Sequence, residues 1–528
     1  MSLKFITKLS YKELHILTTR PDVLLLVLDT QRVDRLSCYG YGAETSPHLD
    51  AFAEDATRFR HAYAAGQWTV PSHTSMFTGL YPGRHQMFHA YSMLPDSLTT
   101  LSERLGRNGY FTAGFCNNPL IGVVNTGLHR GFQSFLSYSG LMTSRPHQTR
   151  ENLSLFDRYR RYFKRLLASG LTAAQDYFAR SDALLDLSFS PLLAPIWQTA
   201  VKFKGNTPKT LNDAAKLHIE RKGIEKDQPI FSFINLMGTH TPYHPPLRFI
   251  ERFAPHVKQD KAEQRYLRQF NSDVFGWLTP LISPMNEEHK ATLDGVYDAE
   301  VAHQDELVGT FLQKLRTSGV LDNTLVIICA DHGDHLGEKQ LMGHSISLYN
   351  ELVHVPLIIR DPSGDFPRGT NVDSVVSTRR VFHTALTAAD LGAEQEQGLS
   401  LAQSAESDPD HGTIFAMGVT PKNLLNIMER RRPDLVELRH CDQTRYALWN
   451  GHHKLIQTDD AHAELFDVFD DPHEQHDLRA TLPEQAEALQ KRLHGFVNPV
   501  AETEEDGETE AFDDPQVYRR LRDLGYLE

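Results

Sequence analysis

The chain has 528 residues, of which 40% are hydrophobic and 23% charged, a composition that excludes disordered and fibrous proteins. Its 54 basic and 68 acidic residues give a net charge of −14, so no nucleic-acid partner is expected. Four scattered cysteines (Cys38, Cys116, Cys329 and Cys441) show no zinc-finger or redox spacing and predict no disulfide framework. With 27 histidines available, we expect any metal chemistry to use imidazole and oxygen ligands.

The first apolar run in the chain, residues 23–28, is far too short to span a bilayer. No small-residue cleavage site follows it, so it does not resemble a secretory signal. No stretch of about 18 apolar residues, the length of a membrane-spanning helix, occurs in the sequence. These features predict a soluble, cytoplasmic protein without a transmembrane segment.

Several short apolar runs are continuous and rich in β-branched residues, as is typical of parallel strands buried on both faces. These runs span residues 22–29, 229–237, 323–331 and 355–362. Helices are predicted between them, at 97–110 and at 297–319, each with a glycine near its end. The alternation of strands and helices predicts an α/β fold with a doubly wound, mostly parallel sheet.

Residues 140–225 interrupt this alternation with a segment that is predicted to be largely helical. We interpret it as an insertion that covers the sheet edge or caps a cleft, as long insertions in compact domains often do. An apolar patch at 184–197 leaves a lipid-contacting helix open as the alternative.

The pattern changes again after residue 410, which predicts a catalytic domain over 1–410 and a smaller C-terminal subdomain over 411–528. The subdomain is expected to contain short antiparallel strands, a helix, an acidic linker and a short final helix. The predicted strands lie at 445–457 and 463–471, and the helix lies at 482–496. The acidic linker spans 501–514, and the final helix spans 517–528. Four histidines of this region (His452, His453, His473 and His476) are interpreted as residues on solvated edges.

Polar side chains follow three of the predicted parallel strands. Asp29 closes the first strand, His240 follows the second, and Asp331 and His332 close the third. Because the carboxyl ends of parallel strands meet at one edge of a sheet, these side chains are expected to share a crevice. Two carboxylates with imidazoles suit Mn²⁺, Mg²⁺, Ca²⁺ or Zn²⁺. Each residue taken alone is equally compatible with a polar group that simply finds a local partner.

The segment 67–85 predicts a helix that has Pro71 in its first turn and runs to about Gly79, with Thr69 just ahead of it. A hydroxyl there lies at the positive end of the helix dipole, among free N–H groups that favour phosphate-type anions. Two interpretations stay open. Thr69 is either an N-cap residue or a nucleophile activated by a metal ion and the helix terminus.

Several segments, in this order, resemble the sulfatase-like branch of the alkaline phosphatase superfamily. The matching segments are residues 24–85, 229–246, 297–315, 323–344, 347–362, 453–456, 464–478 and 521–528. The resemblance covers most of the chain. It implies a metal-dependent enzyme of alkaline-phosphatase-like fold.

The resemblance also implies roles for individual residues. Asp29, Asp331 and His332 would bind the metal, and Thr69 would occupy the position of the nucleophile and touch the metal as well. His240 would contact the transferring group or the leaving oxygen.

Five further positions match family positions that approach the substrate. His344 stands where relatives carry a substrate-binding lysine or histidine, and it is predicted to be catalytic. Asn117 and Asn118 replace a lysine and histidine signature of true sulfatases. They are predicted to bind substrate together with Arg32 and His73; for Arg32, a position behind the residues that contact the substrate is the alternative.

The nucleophile motif departs from that of true sulfatases, which carry a cysteine or serine that is oxidised to formylglycine. Here the motif reads Thr69-Val70-Pro71-Ser72-His73, and threonine cannot give that aldehyde, so no formylglycine is expected. A sulfated threonine cannot release its sulfate by collapsing to an aldehyde. A phosphothreonine, in contrast, can be hydrolysed by in-line attack of water.

The metal site departs from that of many sulfatases as well. Thr30 replaces the second carboxylate after Asp29, and Asp331-His332 stands where many sulfatases have Asp-Asn. The Asp-His pair resembles that of phosphonate monoester hydrolases, phosphodiesterases and threonine-using glycerolphosphate transferases.

The sequence therefore predicts a metal-dependent hydrolase of phosphodiesters or phosphonate monoesters that acts through a covalent phosphothreonine at Thr69. One divalent ion is expected, with Mn²⁺ favoured over Ca²⁺, Mg²⁺ and Zn²⁺. A sulfuric ester hydrolase, a phosphoryl transferase to an alcohol and a non-catalytic binding protein are the alternatives. The expected partner is a small-molecule, glycan or lipid-headgroup phosphate or sulfate ester, and a homo-oligomer stays open.

Overall fold

The computed structural model describes residues 20–138, 204–273, 275–393, 396, 398–402, 408–458 and 462–501. Most of the predicted insertion, including its apolar patch at 184–197, lies outside the described residues. So do the acidic linker beyond residue 501 and the predicted final helix.

Strands and helices are numbered in chain order. The strands are β1 Asp22–Leu28, β2 Thr57–Tyr63, β3 Phe111–Cys116, β4 Ser134–Ser137, β5 Ile230–Leu236, β6 Thr324–Cys329, β7 His335–Leu336, β8 Met342–Gly343, β9 His354–Arg360, β10 Thr370–Ser377, β11 Thr413–Gly418, β12 Arg445–Asn450, β13 His453–Gln457 and β14 Ala463–Asp467. The helices are α1 Pro47–Ala53, α2 Thr69–Thr78, α3 Pro82–His85, α4 Leu101–Arg107, α5 Pro119–Gly122, α6 Thr207–Glu220, α7 Leu247–Phe253, α8 Pro255–Gln259, α9 Lys261–Ser272, α10 Glu287–Thr317, α11 Asn350–Val353, α12 Arg380–Ala388, α13 Lys422–Arg431, α14 Pro433–Arg439 and α15 Pro483–Ala501. Short 3₁₀ turns span Val33–Arg35, Ser37–Tyr39, Val320–Asn323 and Glu338–Gln340.

The centre of the molecule is an eight-stranded sheet in the order β10-β2-β9-β6-β1-β5-β3-β4. Strand β1 lies between β5 and β6 and runs parallel to both. Every residue of β1 is buried. Burial on both faces explains why the strand is a continuous apolar run in the sequence.

Two hydrophobic cores cover the two faces of this sheet, and β1 divides its side chains between them. Leu25 and Val27 pack into one core with side chains of α2, α4 and α12. Leu24 and Leu26 pack into the other core with side chains of α1, α6 and α10. Helices on both faces of a mostly parallel sheet confirm the predicted doubly wound α/β fold.

Strand β9 corrects one detail of that prediction. The run at 355–362 was expected to be parallel to its neighbours, but β9 is antiparallel to both β6 and β2. Six of its seven residues are buried. Burial on both faces produces the continuous apolar pattern whatever the direction of the strand, so the pattern alone did not reveal the direction.

A second, four-stranded antiparallel sheet, in the order β11-β12-β13-β14, lies in the C-terminal part of the chain. The predicted strand region 445–457 divides into β12 and β13 at Gly451, whose φ of 60° suits glycine in a tight turn. Helix α15 packs Leu489 and Leu493 against the sheet. Strand β11 was not among the predicted elements.

No helix in the described part of the chain combines the length and the apolar character that crossing a membrane requires.

Candidate active site

The carboxyl ends of two adjacent strands bring the predicted metal ligands together. Asp29 directly follows β1, and Asp331 and His332 follow its neighbour β6. Each of the three residues offers one ligand atom, and these atoms lie within 4.8 Å of one another. All three side chains are fully buried. The topology therefore converges two carboxylates and one imidazole at a single point of the sheet edge.

The Asp29 carboxylate is held through one of its two oxygens. Its Oδ2 accepts hydrogen bonds from Nδ2 of Asn118 at 2.7 Å and from Nδ2 of Asn235 at 3.2 Å. Its Oδ1 has no hydrogen-bond partner among the described residues. A buried polar atom without a partner is costly, so Oδ1 is suited to a ligand that the protein itself does not supply.

The Asp331 carboxylate has the same arrangement. Its Oδ1 accepts from the backbone N–H of Thr30 at 3.3 Å and of His332 at 3.0 Å. Within the described chain, its Oδ2 has no hydrogen-bond partner. Two buried carboxylates that each direct an unbonded oxygen into one cluster fit a divalent cation, which prefers oxygen ligands of this kind.

His332 is oriented as a metal ligand. Its Nδ1–H donates to the Gly333 carbonyl at 2.8 Å, which leaves the lone pair of Nε2 facing the cluster. Nε2 lies 3.4 Å from Oδ2 of Asp331 and 3.3 Å from Oγ1 of Thr69. Burial, reinforced by His344, lowers the pKa of His332 to about 3, so the ring is neutral at physiological pH. Neutral imidazole is the form that binds metals.

The two carboxylates respond differently to their surroundings. Burial raises the pKa of Asp331, and the nearby Asp29 raises it further. Burial also tends to raise the pKa of Asp29, but the nearby His240 and His332 have the larger opposite effect, so the pKa of this carboxyl is lowered overall. Two carboxylates this close repel each other, and a divalent cation would relieve that repulsion.

Thr69 is the first residue of α2. The N-cap residue is Trp68, which has an extended backbone and makes no side-chain capping bond. The interpretation of Thr69 as an N-cap is therefore wrong by one position. Pro71 occupies the first turn, and the helix ends at Gly79 with a φ of 74°. Oγ1 of Thr69 points into the cluster, 3.5 Å from Nδ2 of Asn118.

His73 lies one turn further along α2, beneath Thr69. Its Nδ1–H donates to the Thr69 carbonyl at 2.9 Å and is 3.4 Å from Oδ2 of Asp331. Its Nε2 is 3.4 Å from Nδ2 of Asn235, which also donates to Asp29. The ring is fully buried. The structure thus places His73 between the nucleophile position and the carboxylates.

His240 and His344 lie next to each other beside the cluster. The ring centroid of His344 lies 5.1 Å from that of His240 and 4.5 Å from that of His332. Nδ1–H of His344 donates to Oδ1 of Asp334 at 3.0 Å, and Oδ2 of Asp334 accepts from the Tyr243 hydroxyl at 3.2 Å. Burial lowers the pKa of His344 to about 4 and also lowers that of His240.

Two of the predicted substrate-binding residues make structural contacts. The Arg32 guanidinium donates to the Asp34 and Glu338 carboxylates and to the Asp334 carbonyl. The Asn117 amide bonds to the hydroxyls of Thr210 at 2.7 Å and Thr207 at 3.2 Å, both on α6. These contacts join segments that are distant in the sequence, whereas Asn118 contacts Asp29 and Thr69 directly.

Sequence reasoning missed two residues that contact the cluster. Asn235 bridges Asp29 and His73, and Asp334 orients His344. A signal for Asn235 was present, because it is the one amide side chain of strand β5, whose other residues are apolar except for Ser232. The signal for Asp334 was its place two residues after His332 in the sequence Asp-His-Gly-Asp.

A known protein family and several of its members match most of this chain. The sequence model of the sulfatase family matches residues 21–391. The ulvan-active sulfatase of Formosa agariphila is 23% identical over 410 residues, which cover 76% of this chain and 69% of that protein. Arylsulfatase K of Bos taurus is 24% identical over 507 residues, which cover 90% of this chain and 82% of that protein.

Among solved structures, the phosphonate monoester hydrolase of Agrobacterium radiobacter superposes with a TM-score of 0.60 at 20% identity. The superposition covers 91% of this chain and 96% of that one. The family resemblance predicted from the order of the motifs is confirmed. Because the family match extends over more than half of the chain, this protein belongs to the sulfatase family, a group of hydrolases within the alkaline phosphatase-like superfamily.

Proposed function

We propose that this protein hydrolyses phosphate ester bonds, in phosphodiesters or phosphonate monoesters, through a covalent phosphothreonine at Thr69. The observation that carries the proposal is the identity and position of the nucleophile. Thr69, the first residue of α2, has its hydroxyl 3.3 Å from Nε2 of His332. Two carboxylates lie beside it, and each has one oxygen without a hydrogen-bond partner among the residues that the structure describes.

The threonine side chain favours phosphorus over sulfur because the intermediate has to be released as well as formed. A formylglycine hydrate expels sulfate by collapsing to the aldehyde, and threonine cannot form that hydrate. A phosphothreonine needs no such collapse, since water can attack phosphorus in line with the Thr69 oxygen. The helix terminus at Thr69 also offers free N–H groups to an anionic phosphoryl group.

The residues that would hold a divalent ion are Asp29, Asp331 and His332, with the Thr69 hydroxyl beside them. The ion, with Mn²⁺ favoured for this set of oxygen and nitrogen donors, would supply Lewis-acid stabilisation of the phosphoryl oxygens and lower the pKa of the hydroxyl.

In the first step, Thr69 loses its hydroxyl proton to solvent, its Oγ–P bond forms, and the P–O bond to the leaving alcohol breaks. His240 or His344 donates a proton to the leaving alkoxide. Burial lowers the pKa of both rings, and an anionic substrate beside them would raise it again.

In the second step, water attacks phosphorus and the Oγ–P bond of Thr69 breaks. The water proton passes to the imidazole that acted as the acid, and Thr69 regains its proton from solvent. An alcohol in the place of water would make the same intermediate a phosphoryl transfer step.

Sulfate ester hydrolysis is the second candidate, and the names of the relatives favour it. The relatives include an ulvan-active sulfatase and arylsulfatase K. The substrate class on either proposal is a small-molecule, glycan or lipid-headgroup ester.

The test is a substrate panel with the enzyme stripped of metal and reloaded with Mn²⁺, Ca²⁺, Mg²⁺ or Zn²⁺. An aryl phosphodiester, an aryl phosphonate monoester and an aryl phosphate are compared with an aryl sulfate. We expect a phosphodiester or phosphonate to be turned over fastest with Mn²⁺. Thr69→Ala is expected to lower kcat by roughly 10⁴-fold or more, as removal of a nucleophile does.

Thr78→Ala is the matched control, because the Thr78 hydroxyl lies on the same helix and donates to the Thr74 carbonyl at 2.7 Å, away from the cluster. It is expected to keep wild-type turnover. Faster turnover of the aryl sulfate than of every phosphorus ester would overturn the choice of phosphorus. Wild-type activity in Thr69→Ala would overturn the nucleophile.

A further inference from the structure

A second group of metal-ligating side chains lies on the C-terminal sheet, away from the active site. His452 lies in the turn between β12 and β13, His453 is the first residue of β13, and Asp467 is the last residue of β14. One ligand atom from each of these residues lies within 4.8 Å of the others. His452 is exposed, and the other two side chains are partly buried.

The sheet register explains why these three side chains meet. His453 pairs directly with Asp467 across β13 and β14, so their side chains share one face of the sheet. His452 lies in the turn, so its side chain does not follow the alternation of side chains between the two faces of a strand. Its ring therefore comes within 4.1 Å of the His453 ring, measured between centroids.

The Asp467 carboxylate is oriented before any ligand arrives. Its Oδ1 accepts from the backbone N–H groups of Phe469 at 3.1 Å and Asp470 at 3.2 Å. Its Oδ2 faces Nδ1 of His452 at 2.7 Å. The backbone of the same turn is fixed as well, because the Val468 N–H donates to the His452 carbonyl at 2.9 Å. A carboxylate that is held by one oxygen, with the other oxygen beside an imidazole, is an arrangement that supports metal binding.

We propose that His452, His453 and Asp467 form a second divalent metal site, suited to Zn²⁺. Two imidazole nitrogens and one carboxylate oxygen are a common three-residue ligand set for Zn²⁺, which leaves a fourth position for water. The proton on Nδ1 of His452 leaves to solvent when the ion binds.

The two sites differ in the ion that they favour. The active-site cluster has two carboxylates and one histidine, which suits harder ions such as Mn²⁺. The cluster on the C-terminal sheet has two histidines and one carboxylate, which shifts the preference toward Zn²⁺.

The ion at this site would stabilise the loop that follows β14. That loop contains Glu474, whose carboxylate accepts the Asn350 N–H at 2.7 Å, and its backbone carbonyls receive the Lys339 ammonium at 2.6 and 3.1 Å. Metal binding at Asp467 therefore fixes one end of a segment whose other end contacts the catalytic part of the chain. The role is structural, and the expected readouts are metal content and thermal stability.

The experiment uses the full chain, stripped of metal with a chelator and titrated with Zn²⁺ alone. Bound Zn²⁺ is counted by elemental analysis after gel filtration, and the melting temperature is measured with and without the ion. Asp467→Asn is the main variant, because the asparagine oxygen can still accept from the Phe469 and Asp470 N–H groups while the anionic ligand is lost. His453→Ala is the second variant.

Both variants are expected to bind one equivalent of Zn²⁺ fewer than the wild type and to lose part of the Zn²⁺-dependent rise in melting temperature. His476→Ala is the matched control, because His476 pairs with Asp471 at 3.4 Å on an exposed loop without a third ligand. It is expected to bind as much Zn²⁺ as the wild type.

Unchanged Zn²⁺ content in both Asp467→Asn and His453→Ala would overturn the proposal, and so would a wild type that binds Zn²⁺ only at the active site. The second outcome is recognised if Asp29→Asn abolishes all Zn²⁺ binding. Turnover with Mn²⁺ is measured in parallel, so a failure of the phosphoesterase proposal is distinguished from a failure of this one.

Discussion

A buried ion pair joins the C-terminal sheet to a segment next to the proposed metal ligands. Nζ of Lys454, on β13, lies 2.6 Å from Oε1 of Glu474, and both side chains are fully buried. The Lys454 ammonium also donates to Oδ1 of Asn350 at 3.0 Å. Asn350 begins α11, and the Leu352 carbonyl of that helix accepts the Gly333 N–H at 2.7 Å, next to His332. The ion pair therefore supports the loop that carries His332, a proposed metal ligand.

Replacing Lys454 by methionine keeps most of the side-chain volume but leaves the Glu474 carboxylate buried without its cation. Breaking one partner of a buried ion pair costs about 3–5 kcal/mol of unfolding free energy. The double replacement Lys454→Met/Glu474→Gln is expected to cost less than the single one, because neither charge is then buried alone.

Urea unfolding followed by tryptophan fluorescence measures the effect. Trp449 is a suitable reporter, because its ring lies 4.8 Å from the Lys454 ammonium. Lys491→Met, on the exposed face of α15, is the matched control and is expected to leave the transition unchanged. A Lys454→Met midpoint equal to that of the control would refute the reasoning, as would a double variant no more stable than the single one.

Two further predictions concern the candidate metal centre. Asn235→Leu removes the amide that donates to Asp29 and contacts His73. We expect it to weaken Mn²⁺ binding about 10–100-fold, the usual effect of losing a group that orients a metal ligand. Calorimetric titration of the metal-free protein measures the affinity, and an unchanged affinity would contradict this expectation. Removing the metal with a chelator is expected to lower the melting temperature reversibly, because an ion at 100 times its Kd adds about 2.7 kcal/mol to the free energy of unfolding. Identical melting curves with and without Mn²⁺ would count against an ion bound between Asp29 and Asp331.

The sequence predicted much of the site because the carboxyl ends of parallel strands converge. Asp29 and Asp331 each follow a continuous apolar run, and the placement of β1 beside β6 brings them together. The position of Thr69 followed from Pro71 and Gly79, which bracket α2. These signals are local in the sequence, so they were readable without the structure.

The remaining features depend on contacts between distant segments. The direction of β9 was not readable, because burial gives the same apolar pattern in either direction. The contacts of Asn117 with α6 and of Arg32 with Glu338 depend on loops that meet only in the folded chain. The bridging role of Asn235 likewise requires β5 to lie beside β1.

On the proposed mechanism, Thr69 carries the transferred phosphoryl group. This role is tested most directly by mixing the Mn²⁺-loaded enzyme with a phosphodiester that contains radioactive phosphorus, quenching in acid during turnover, and mapping the label by peptide mass spectrometry. We expect label on the peptide that contains Thr69 in the wild type and none in Thr69→Ala. A wild-type enzyme that turns over the substrate with Thr69 unlabelled, or with the label on another residue, would contradict it.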